Sequence, residues 1–371
     1  MSAVTKFRKL PQVLKASLAV DQKLPYGILF SADATWNDNI SAIKYENLNL
    51  KDPTTFLTGS DNRPRYSTTR IDPTYQGIYL ASNTSEGYAW NTSYTLSKTF
   101  TTDRMDIFVQ GTHAYGDSKV LFDATSSQNS SQWNNIETVN GSNRIGGLST
   151  SDFAQGHRFL GVVNLSYKWS EFTKTKLGLF YEGVQGTPVS YVYNNGTGNG
   201  ILSDTFSNSA LIYIPSNQTE INLVLDPQGN NTLSPSQQWE SLNSYINNND
   251  YLNSRRGTYA GRNEHRLKMS HIVDLKFAQE FTITSGKQKH NFEITADIFN
   301  FTNLLNQDWG KRYFATFDQV QLLTHVGFLP GTNTPTFNFN PNVTQSMNQV
   351  DDAGLNSSRW QMQLGVRYTF N

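Results

Sequence analysis

Histidine and cysteine are the residues that most often indicate metal or nucleophile chemistry, and this sequence uses neither in such a pattern. There are six histidines, His113, His157, His265, His271, His290 and His325. They show neither an HExxH motif nor any other ligand spacing. The chain has no Cys, which removes thiol catalysis, thiolate metal sites and disulfides together. We therefore expect no metal site and no cofactor.

One acid and base pair, Asp152 and His157, lies close enough in sequence to suggest catalysis. No nucleophile and no orienting third group can be named for it, and the chain contains no G-x-S-x-G motif. The stretch GTGNG at 196–200 imitates a phosphate-binding loop, but no helix opens after it. The sequence therefore predicts that the chain is not an enzyme and has no catalytic residues.

Charged residues stand instead at alternate positions of long stretches. In LKMSHIVDLKFAQEFTI (267–283), apolar residues share one side and the other side carries four charges. Such a face suits the wet lumen of a membrane β-barrel. Because the signs are mixed, we expect lumen salt bridges that rigidify the wall rather than a selectivity filter. The charges assigned to the lumen are Arg158, Lys168, Asp274, Lys276, Glu280, Asp297 and Arg367.

The elements that carry these residues are β-strands. Two-residue alternation recurs at 28–36, 88–96, 105–115 and 158–169, and it ends the chain in WQMQLGVRYTF (360–370). The length of that last stretch fits a strand crossing a membrane. Its apolar and aromatic face consists of Trp360, Met362, Leu364, Val366, Tyr368 and Phe370.

Composition is compatible with this interpretation. Only 37% of the 371 residues are hydrophobic, mean hydropathy is −0.52, and 13% are aromatic. No stretch approaches the roughly 18–20 apolar residues of a transmembrane helix, whereas a membrane barrel needs only every second residue to be apolar. The formal net charge is +0, so the bulk charge indicates no nucleic-acid partner.

Connections of two lengths separate the strands. Short ones lie at 23–26, 101–104, 170–174, 285–288 and 303–308, and long ones rich in Asn, Ser, Gly and Thr at 50–74, 117–156, 194–266 and 329–356. To keep the strand directions alternating, we assign a hidden crossing to DTFSNSALIYIP (204–215) and read 76–99 as one strand interrupted near NTSEG. This predicts about eleven antiparallel strands, an odd number.

One helix interrupts the strand pattern, in SPSQQWESLNSYINNND (234–250). Ser234 stands at the N-cap, Pro235 at the first helical position and Gln237 at the third, which is a capping box. Trp239, Leu242 and Ile246 share one face. We therefore predict a short helix packed on the barrel, within a long connection.

Several stretches together resemble one protein family. In chain order they are GSDNRPRY (59–66), HRFLGVVNLSYKW (157–169), LGLFYEGVQGTPVSYVYN (177–194), RRGTYAGRNEHR (255–266), VDLKFAQEF (273–281), DIFNFTNLLNQDWG (297–310) and the terminal strand. This ordered set resembles the C-terminal half of the barrel of TonB-dependent outer-membrane receptors, specifically the Oar-like branch. Each stretch is weak alone, and their order across nearly the whole chain is the stronger signal.

The resemblance implies a barrel of 22 strands, closed by an N-terminal plug, in the outer membrane of a bacterium. Residues 1–371 would form the C-terminal part of this all-β transmembrane barrel, and the plug, the TonB box and a signal peptide have no counterpart here. The implied activity is binding and import of a scarce solute with energy from the inner-membrane TonB complex. The terminal strand would also be a recognition signal for the barrel-assembly machinery.

The expected partners follow from this resemblance. They are outer-membrane lipid, the plug and remaining strands, the TonB complex, and a small-molecule, peptide or glycan ligand; metal chelates also remain open. Tyr191, Tyr193 and Tyr259 lie in or beside long connections and are candidate ligand contacts. Two alternatives stay open: a passive porin-like channel, and a barrel enzyme or adhesin that uses the connections at 117–156 and 194–266.

Overall fold

Nine long β-strands form the main element of the protein. The computed structural model describes residues 2–4, 9–195, 200–205, 207–342, 348–350 and 358–370. We number the long strands in chain order as β1 Gln12–Lys23, β2 Leu29–Asn47, β3 Tyr88–Thr101, β4 Met105–Val120, β5 Gly156–Lys168, β6 Thr173–Val184, β7 Ser270–Ser285, β8 Gln288–Phe299 and β9 Gln361–Phe370.

Each long strand pairs antiparallel with the next one along the chain, so sheet order and chain order are the same. Short turns at 24–28, 102–104, 169–172 and 286–287 therefore all lie at one end of the sheet. The connections 48–87, 121–155, 185–269 and 300–360 all lie at the other end. The predicted antiparallel sheet with two classes of connection is confirmed.

The number of strands differs from the prediction of about eleven. Strands β6 and β7 pair directly with each other, so no crossing lies between them, and the hidden crossing at 204–215 is wrong. That segment contributes only the short strand Tyr213–Ile214, which pairs with Thr258–Tyr259. The predicted short link at 303–308 is also wrong, because it overlaps a helix and opens a long connection.

Shorter elements occupy the long connections and the chain start. The strands are Ser2–Val4, Thr55–Phe56, Pro64–Arg65, Tyr79–Thr84, Ser149–Thr150, Pro188–Asn194, Tyr213–Ile214, Asn222–Leu223, Thr258–Tyr259, His265–Arg266, Tyr313–Ala315, Gln319–Phe328, Pro335–Asn338 and Asn348–Val350. The helices are α1 Asn129–Asn134, α2 Pro235–Asn247, α3 Asp250–Ser254 and α4 Phe301–Leu305, with 3-10 turns at Pro25–Gly27, Gln218–Glu220 and Thr316–Asp318. Both Tyr79–Thr84 and β3 pair with β2, which confirms the interrupted strand predicted for 76–99.

The predicted helix forms with its capping box. The Gln237 backbone N–H donates to Ser234 Oγ at 3.3 Å, and the Ser234 backbone N–H donates to Gln237 Oε1 at 2.9 Å. These two bonds satisfy backbone donors that the first helical turn leaves without partners. Leu242 and Ile246 on the inner face of α2 are fully buried.

The long connections fold together into a module with its own hydrophobic core. We call connections 48–87, 121–155, 185–269 and 300–360 together the cap. Its largest sheet has the strand order Asn222–Leu223, Pro335–Asn338, Gln319–Phe328, Pro188–Asn194 and His265–Arg266. Its largest fully buried side chains include Trp133, Tyr191, Tyr193, Ile212, Leu242 and Phe339. The cap is therefore a packed structure rather than a set of loose loops.

The nine-stranded sheet has two contrasting faces. Directly paired residues lie on the same face, and Leu165 opposite Leu177 and Ile294 opposite Val366 illustrate the apolar one. This apolar face is exposed over much of its area, and the side chain of Leu364 is 73% exposed. The other face carries the charged and small polar side chains.

Both edges of the nine-stranded sheet are open within the described residues. There, β1 pairs with β2 alone, and β9 pairs with β8 alone. An edge strand presents a row of backbone donors and acceptors that another strand can pair with. Over the same residues, no helix combines the length and the apolar character needed to cross a membrane.

We expect truncation of the cap core to destabilise the protein far more than truncation on the apolar face of the sheet. Leu242 is 0% exposed, so Leu242→Ala leaves a cavity and should lower the free energy of unfolding by about 2–5 kcal/mol. The matched control is Leu364→Ala, at an exposed position. Chemical unfolding followed by tryptophan fluorescence compares the two variants, and equal losses would contradict a cap core.

Candidate functional site

The register places the seven charges predicted from sequence on one face of the sheet. Lys276 lies directly opposite Asp297, and Lys168 lies opposite Lys174. Arg367 lies opposite Glu293, which in turn lies opposite Glu280. Because every second residue of a strand shares a face, Arg158 and Asp274 lie on this same face of the sheet. We call it the polar face. Its role as a lumen stays a prediction.

Ion pairs cross the strands on the polar face. Lys276 Nζ lies 3.2 Å from Asp297 Oδ1, and Lys176 contacts both Glu280 and, at 3.6 Å, Glu293. These pairs are partly exposed, so each contributes little alone, but several charges in one network hold their side chains in place. The mixture of signs leaves no ring of a single charge.

A second group of charges joins the polar face to the cap. Glu182 on β6 accepts from Arg158 at 2.7 Å and from Arg312 of the last connection at 2.6 Å. Asp274 Oδ1 accepts from the Asn300 backbone N–H at 2.8 Å. The end of the sheet next to the cap is therefore hydrogen-bonded to the segment that follows β8.

The terminal strand lies at the edge of the sheet. Trp360 precedes β9, and the other apolar residues predicted for this face, Met362, Leu364, Val366, Tyr368 and Phe370, are exposed together on it. A hydrogen bond of 2.7 Å also joins the Tyr368 hydroxyl to His290 Nδ1. Its recognition by an assembly machinery stays a prediction.

Two of the three tyrosines predicted to contact a ligand are buried in the cap core. Tyr191 is 2% exposed and Tyr193 is 1% exposed. The Tyr191 hydroxyl accepts from Asn249 Nδ2 at 2.8 Å, and the ring of Tyr193 stacks on Phe337 with 4.8 Å between centroids. These contacts give both side chains a packing role in the cap core, and a contact with a ligand stays a prediction. Tyr259 is half-buried.

A buried ion pair explains why Tyr193 and Tyr259 lie together. Arg63 makes two hydrogen bonds of 2.8 Å to the Asp61 carboxylate and donates to the Leu211 carbonyl at 2.6 Å. Its guanidinium carbon lies 4.6 Å from the centroid of the Tyr259 ring and 5.4 Å from that of Tyr193. This clamp, within GSDNRPRY, joins the first long connection to the third. The motif alone does not indicate this clamp, because Leu211 and Tyr259 lie far from it in the sequence.

The sequence neighbours Asp152 and His157 have separate partners. Asp152 Oδ1 accepts from Asn263 Nδ2 at 2.6 Å inside the cap. His157 lies on the apolar face of β5, where a 3.1 Å hydrogen bond joins its Nδ1 to His113 Nε2. Of the GTGNG stretch, residues 196–199 lie outside the described residues.

The cap contains a pocket of about 610 Å³. The second, third and fourth long connections form it. Its lining is mainly carboxylates, amides and hydroxyls, contributed by Asp123, Thr125, Ser126, Ser131, Gln132, Asn135, Glu137, Asp152, Ser207, Asn208, Asp318, Gln319 and Gln321, together with the guanidinium of Arg262. A pocket of this size accommodates a small organic ligand.

Arg262 is the one cationic residue among the described residues that line the pocket. Its Nη2 donates to Asp123 Oδ2 at 2.8 Å and its Nη1 to the Leu121 carbonyl at 2.8 Å. Its Nε lies 3.5 Å from Glu137 Oε2, within ion-pair range, but no acceptor completes a hydrogen bond to that buried nitrogen. Buried N–H groups are normally paired, so this one offers a donor to a bound molecule.

Three carboxyl groups of the pocket have raised pKa values. Burial raises the pKa of Glu137 to about 7, aided by the nearby Asp152 charge and opposed by Arg262 and a hydrogen bond from Gln319. Burial, with the charge of Asp123, raises the pKa of Asp152. Burial, with the charge of Asp152, raises the pKa of Asp318. Each shift is caused mainly by burial, which disfavours the ionised carboxylate, and a neighbouring carboxylate adds to it.

An exposed aromatic ring stands at the rim of the pocket. Phe317 is 84% exposed, and both Phe317 and Asp318 have left-handed backbone conformations, with φ of 56° and 53°. Such conformations cost non-glycine residues roughly 1–3 kcal/mol each and tend to occur at functional sites. The turn therefore holds an apolar ring and a carboxyl group next to each other at the entrance.

The arrangement offers groups for binding. Carboxylates, amides and a rim ring recognise an organic ligand through charge, hydrogen bonds and apolar contact. Over the part of the chain that the structure describes, no three His, Asp or Glu side chains are grouped to hold a metal ion.

No protein-family model, no curated protein and no solved structure matches this chain. Its function is therefore inferred from the residues and their geometry.

Loss of the buried clamp should weaken the cap strongly. Asp61→Asn leaves the Arg63 guanidinium without its counter-charge in a buried position, so we expect a loss of about 3–5 kcal/mol in the free energy of unfolding. The control is Asp52→Asn, which removes an exposed partner of Arg144 and should leave stability unchanged. Similar melting temperatures for both variants would show that the clamp does not stabilise the cap.

Glu137 should make stability depend on pH. Its folded pKa is about 7, above the ordinary 4.5, so the folded protein holds a proton that the unfolded chain releases. This contribution is fully present below about pH 4.5 and is lost as pH rises towards 7. Relative to Glu137→Gln, the wild type should lose on the order of 2 kcal/mol of unfolding free energy over that range. The control Glu240→Gln should follow the wild type, and parallel pH profiles for all three proteins would contradict the shift.

Proposed function

We propose that this chain is the C-terminal part of the β-barrel of a TonB-dependent outer-membrane receptor, similar to the Oar-like branch. The observation that carries the proposal is the sheet itself. Nine consecutive antiparallel strands leave an apolar face exposed, with short turns at one end and long folded connections at the other. This is the organisation of outer-membrane barrels, whose periplasmic turns are short and whose extracellular loops are long.

The dimensions of the apolar face support a membrane position. His157 and Phe159 lie near one end of β5, and Tyr167, with Trp169 directly after the strand, lies near the other. About ten residues separate the two groups, which at roughly 3.3 Å per residue and 40° tilt span about 25 Å, the height of the apolar band in such barrels. Tyr167 and Trp169 pack edge to face at 4.6 Å, as expected of an interfacial girdle.

The open edges of β1 and β9 support a barrel completed by further strands. Two edges on an otherwise regular sheet invite pairing, and a membrane allows no unpaired backbone in its apolar layer. In the proposed receptor, the remaining strands pair with these edges, and the plug docks on the paired charges of the polar face. The pocket in the cap then faces outwards and binds the solute that the receptor imports with TonB-derived energy.

A charge placed on either face of one strand tests the membrane position. Val163→Arg puts a cation on the apolar face of β5 and should cost about 2–4 kcal/mol on insertion, so less full-length receptor should reach the outer membrane. The neighbouring Asn164→Arg puts the same side chain on the polar face and should accumulate at wild-type level. Membrane fractionation with immunoblotting measures both.

Uptake provides the functional readout. Cells with the intact gene should take up the solute only when the TonB complex is present, and deletion of that complex should abolish uptake while leaving the amount of receptor unchanged. Recovery of the protein in the soluble fraction, or equal effects of Val163→Arg and Asn164→Arg, would overturn the proposal. Uptake that survives loss of the TonB complex would instead support a passive channel.

A further inference from the structure

The pocket in the cap has a charge balance that restricts its ligand. The pair formed by Arg262 and Asp123 is nearly neutral, since the two side chains are buried together at 2.8 Å. Glu137, Asp152 and Asp318 remain, and the one cation among the described lining residues is Arg262, which binds Asp123 through Nη2 and lies 3.5 Å from Glu137 through Nε. The pocket therefore presents an excess of carboxyl groups in a partly buried position.

We propose that this pocket binds a short peptide through a basic side chain, with the ammonium of lysine or the guanidinium of arginine placed among Glu137, Asp152 and Asp318. The inference names the ligand class of the proposed receptor and rests on that function only for the ligand's transport. Binding itself requires no membrane.

The remaining lining suits the rest of a peptide. The amide of Gln321 offers both a donor and an acceptor, and the amide of Asn208 offers a donor, since its Oδ1 already accepts from the Asn195 backbone N–H at 2.9 Å. The buried Arg262 Nε is a donor that a peptide carbonyl would satisfy. A ligand with a cation alone would leave the buried Arg262 Nε without an acceptor.

The exposed ring of Phe317 also fits a peptide ligand with a basic side chain. Phe317 is exposed beside Asp318, so the aliphatic stem of a bound lysine or arginine can cover the ring while its charged end reaches the carboxylates. Both residues have a left-handed backbone conformation and both line the pocket. Removal of the ring should therefore weaken binding without disturbing any buried contact.

Other ligand classes fit the charges less well. An anionic ligand would meet three carboxyl groups, and a neutral glycan would bring no positive charge to them. A cation instead stabilises the ionised form of each carboxyl group, which should lower the raised pKa values on binding. This linkage makes affinity depend on pH in a predictable direction.

Titration calorimetry of the whole chain in detergent micelles tests the proposal. The probes are Ala-Lys-Ala, Ala-Arg-Ala, Ala-Lys-Ala with an acetylated lysine, and the diamine cadaverine. We expect both basic peptides to bind, the acetylated peptide to bind at least about tenfold more weakly, and cadaverine to bind more weakly than either peptide. Equal binding of the acetylated peptide overturns the cation site, and equal binding of cadaverine overturns the peptide assignment.

Variants locate the site. Asp318→Asn should weaken binding of Ala-Lys-Ala about tenfold, and Phe317→Ala, an exposed substitution that should fold normally, about threefold to fivefold. The control is Glu240→Gln on α2, outside the pocket, which should bind like the wild type. Unchanged affinity in both Asp318→Asn and Phe317→Ala overturns the proposed location.

The pH profile gives an independent readout. Between about pH 6 and pH 8 the Glu137 carboxyl ionises, so affinity for Ala-Lys-Ala should rise over this range. The groups that act on Glu137 are Arg262, Asp152 and, through Arg262, Asp123. Glu137→Gln should flatten the profile, and an unchanged slope in that variant overturns the role of Glu137. Peptide binding by a chain found in the soluble fraction would refute the receptor but keep the site.

Discussion

The cross-strand register of the nine-stranded sheet is the constraint on which the rest of the structure depends. Side chains alternate between the faces with a period of two, so a slip of one residue would move every charge of a strand to the apolar face and every apolar residue to the polar one. The observed register avoids this: Lys276 lies opposite Asp297, and Ile294 lies opposite Val366. The hydrogen-bonded pairing therefore creates one apolar surface and one charged surface, and both functional proposals depend on that separation.

The cap is stabilised in a different way from the sheet. Its connections are rich in Asn, Ser and Gly, and a module built from them needs partners for many buried polar groups. Arginine supplies several of these partners, because one planar guanidinium can satisfy a carboxylate and a backbone carbonyl together. Arg63 does so with Asp61 and Leu211, and Arg262 does so with Asp123 and Leu121. Apolar packing around Leu242 then completes a core that the sheet itself lacks.

The parts of this fold that depend on the pattern of neighbouring residues could be predicted from the sequence. The alternation at 158–169 and 267–283, the interruption near residue 85 and the capping box at Ser234 all depend on neighbouring residues, and the structure contains each of them. The wrong strand assignments concern segments with a local alternating pattern whose pairing partner lies far away in the sequence. The segment 204–215 resembles a strand of the barrel wall, yet its strand Tyr213–Ile214 pairs within the cap. Burial of Tyr191 and Tyr193 likewise depends on residues 58 and 132 positions away, Asn249 and Asp61.

The pocket could not be predicted from the sequence for the same physical reason. Its chemistry is the reason for assigning it a function. Its carboxyl groups come from the second and fourth long connections and its arginine from the third, so no short motif records them. Burying Glu137, Asp152 and Asp318 near one another costs free energy, as their raised pKa values record, and two consecutive left-handed residues at Phe317 add strain. Amides at these positions would avoid that cost. A bound cation, as proposed above, gives the acids a role, because it compensates their charge when it is present.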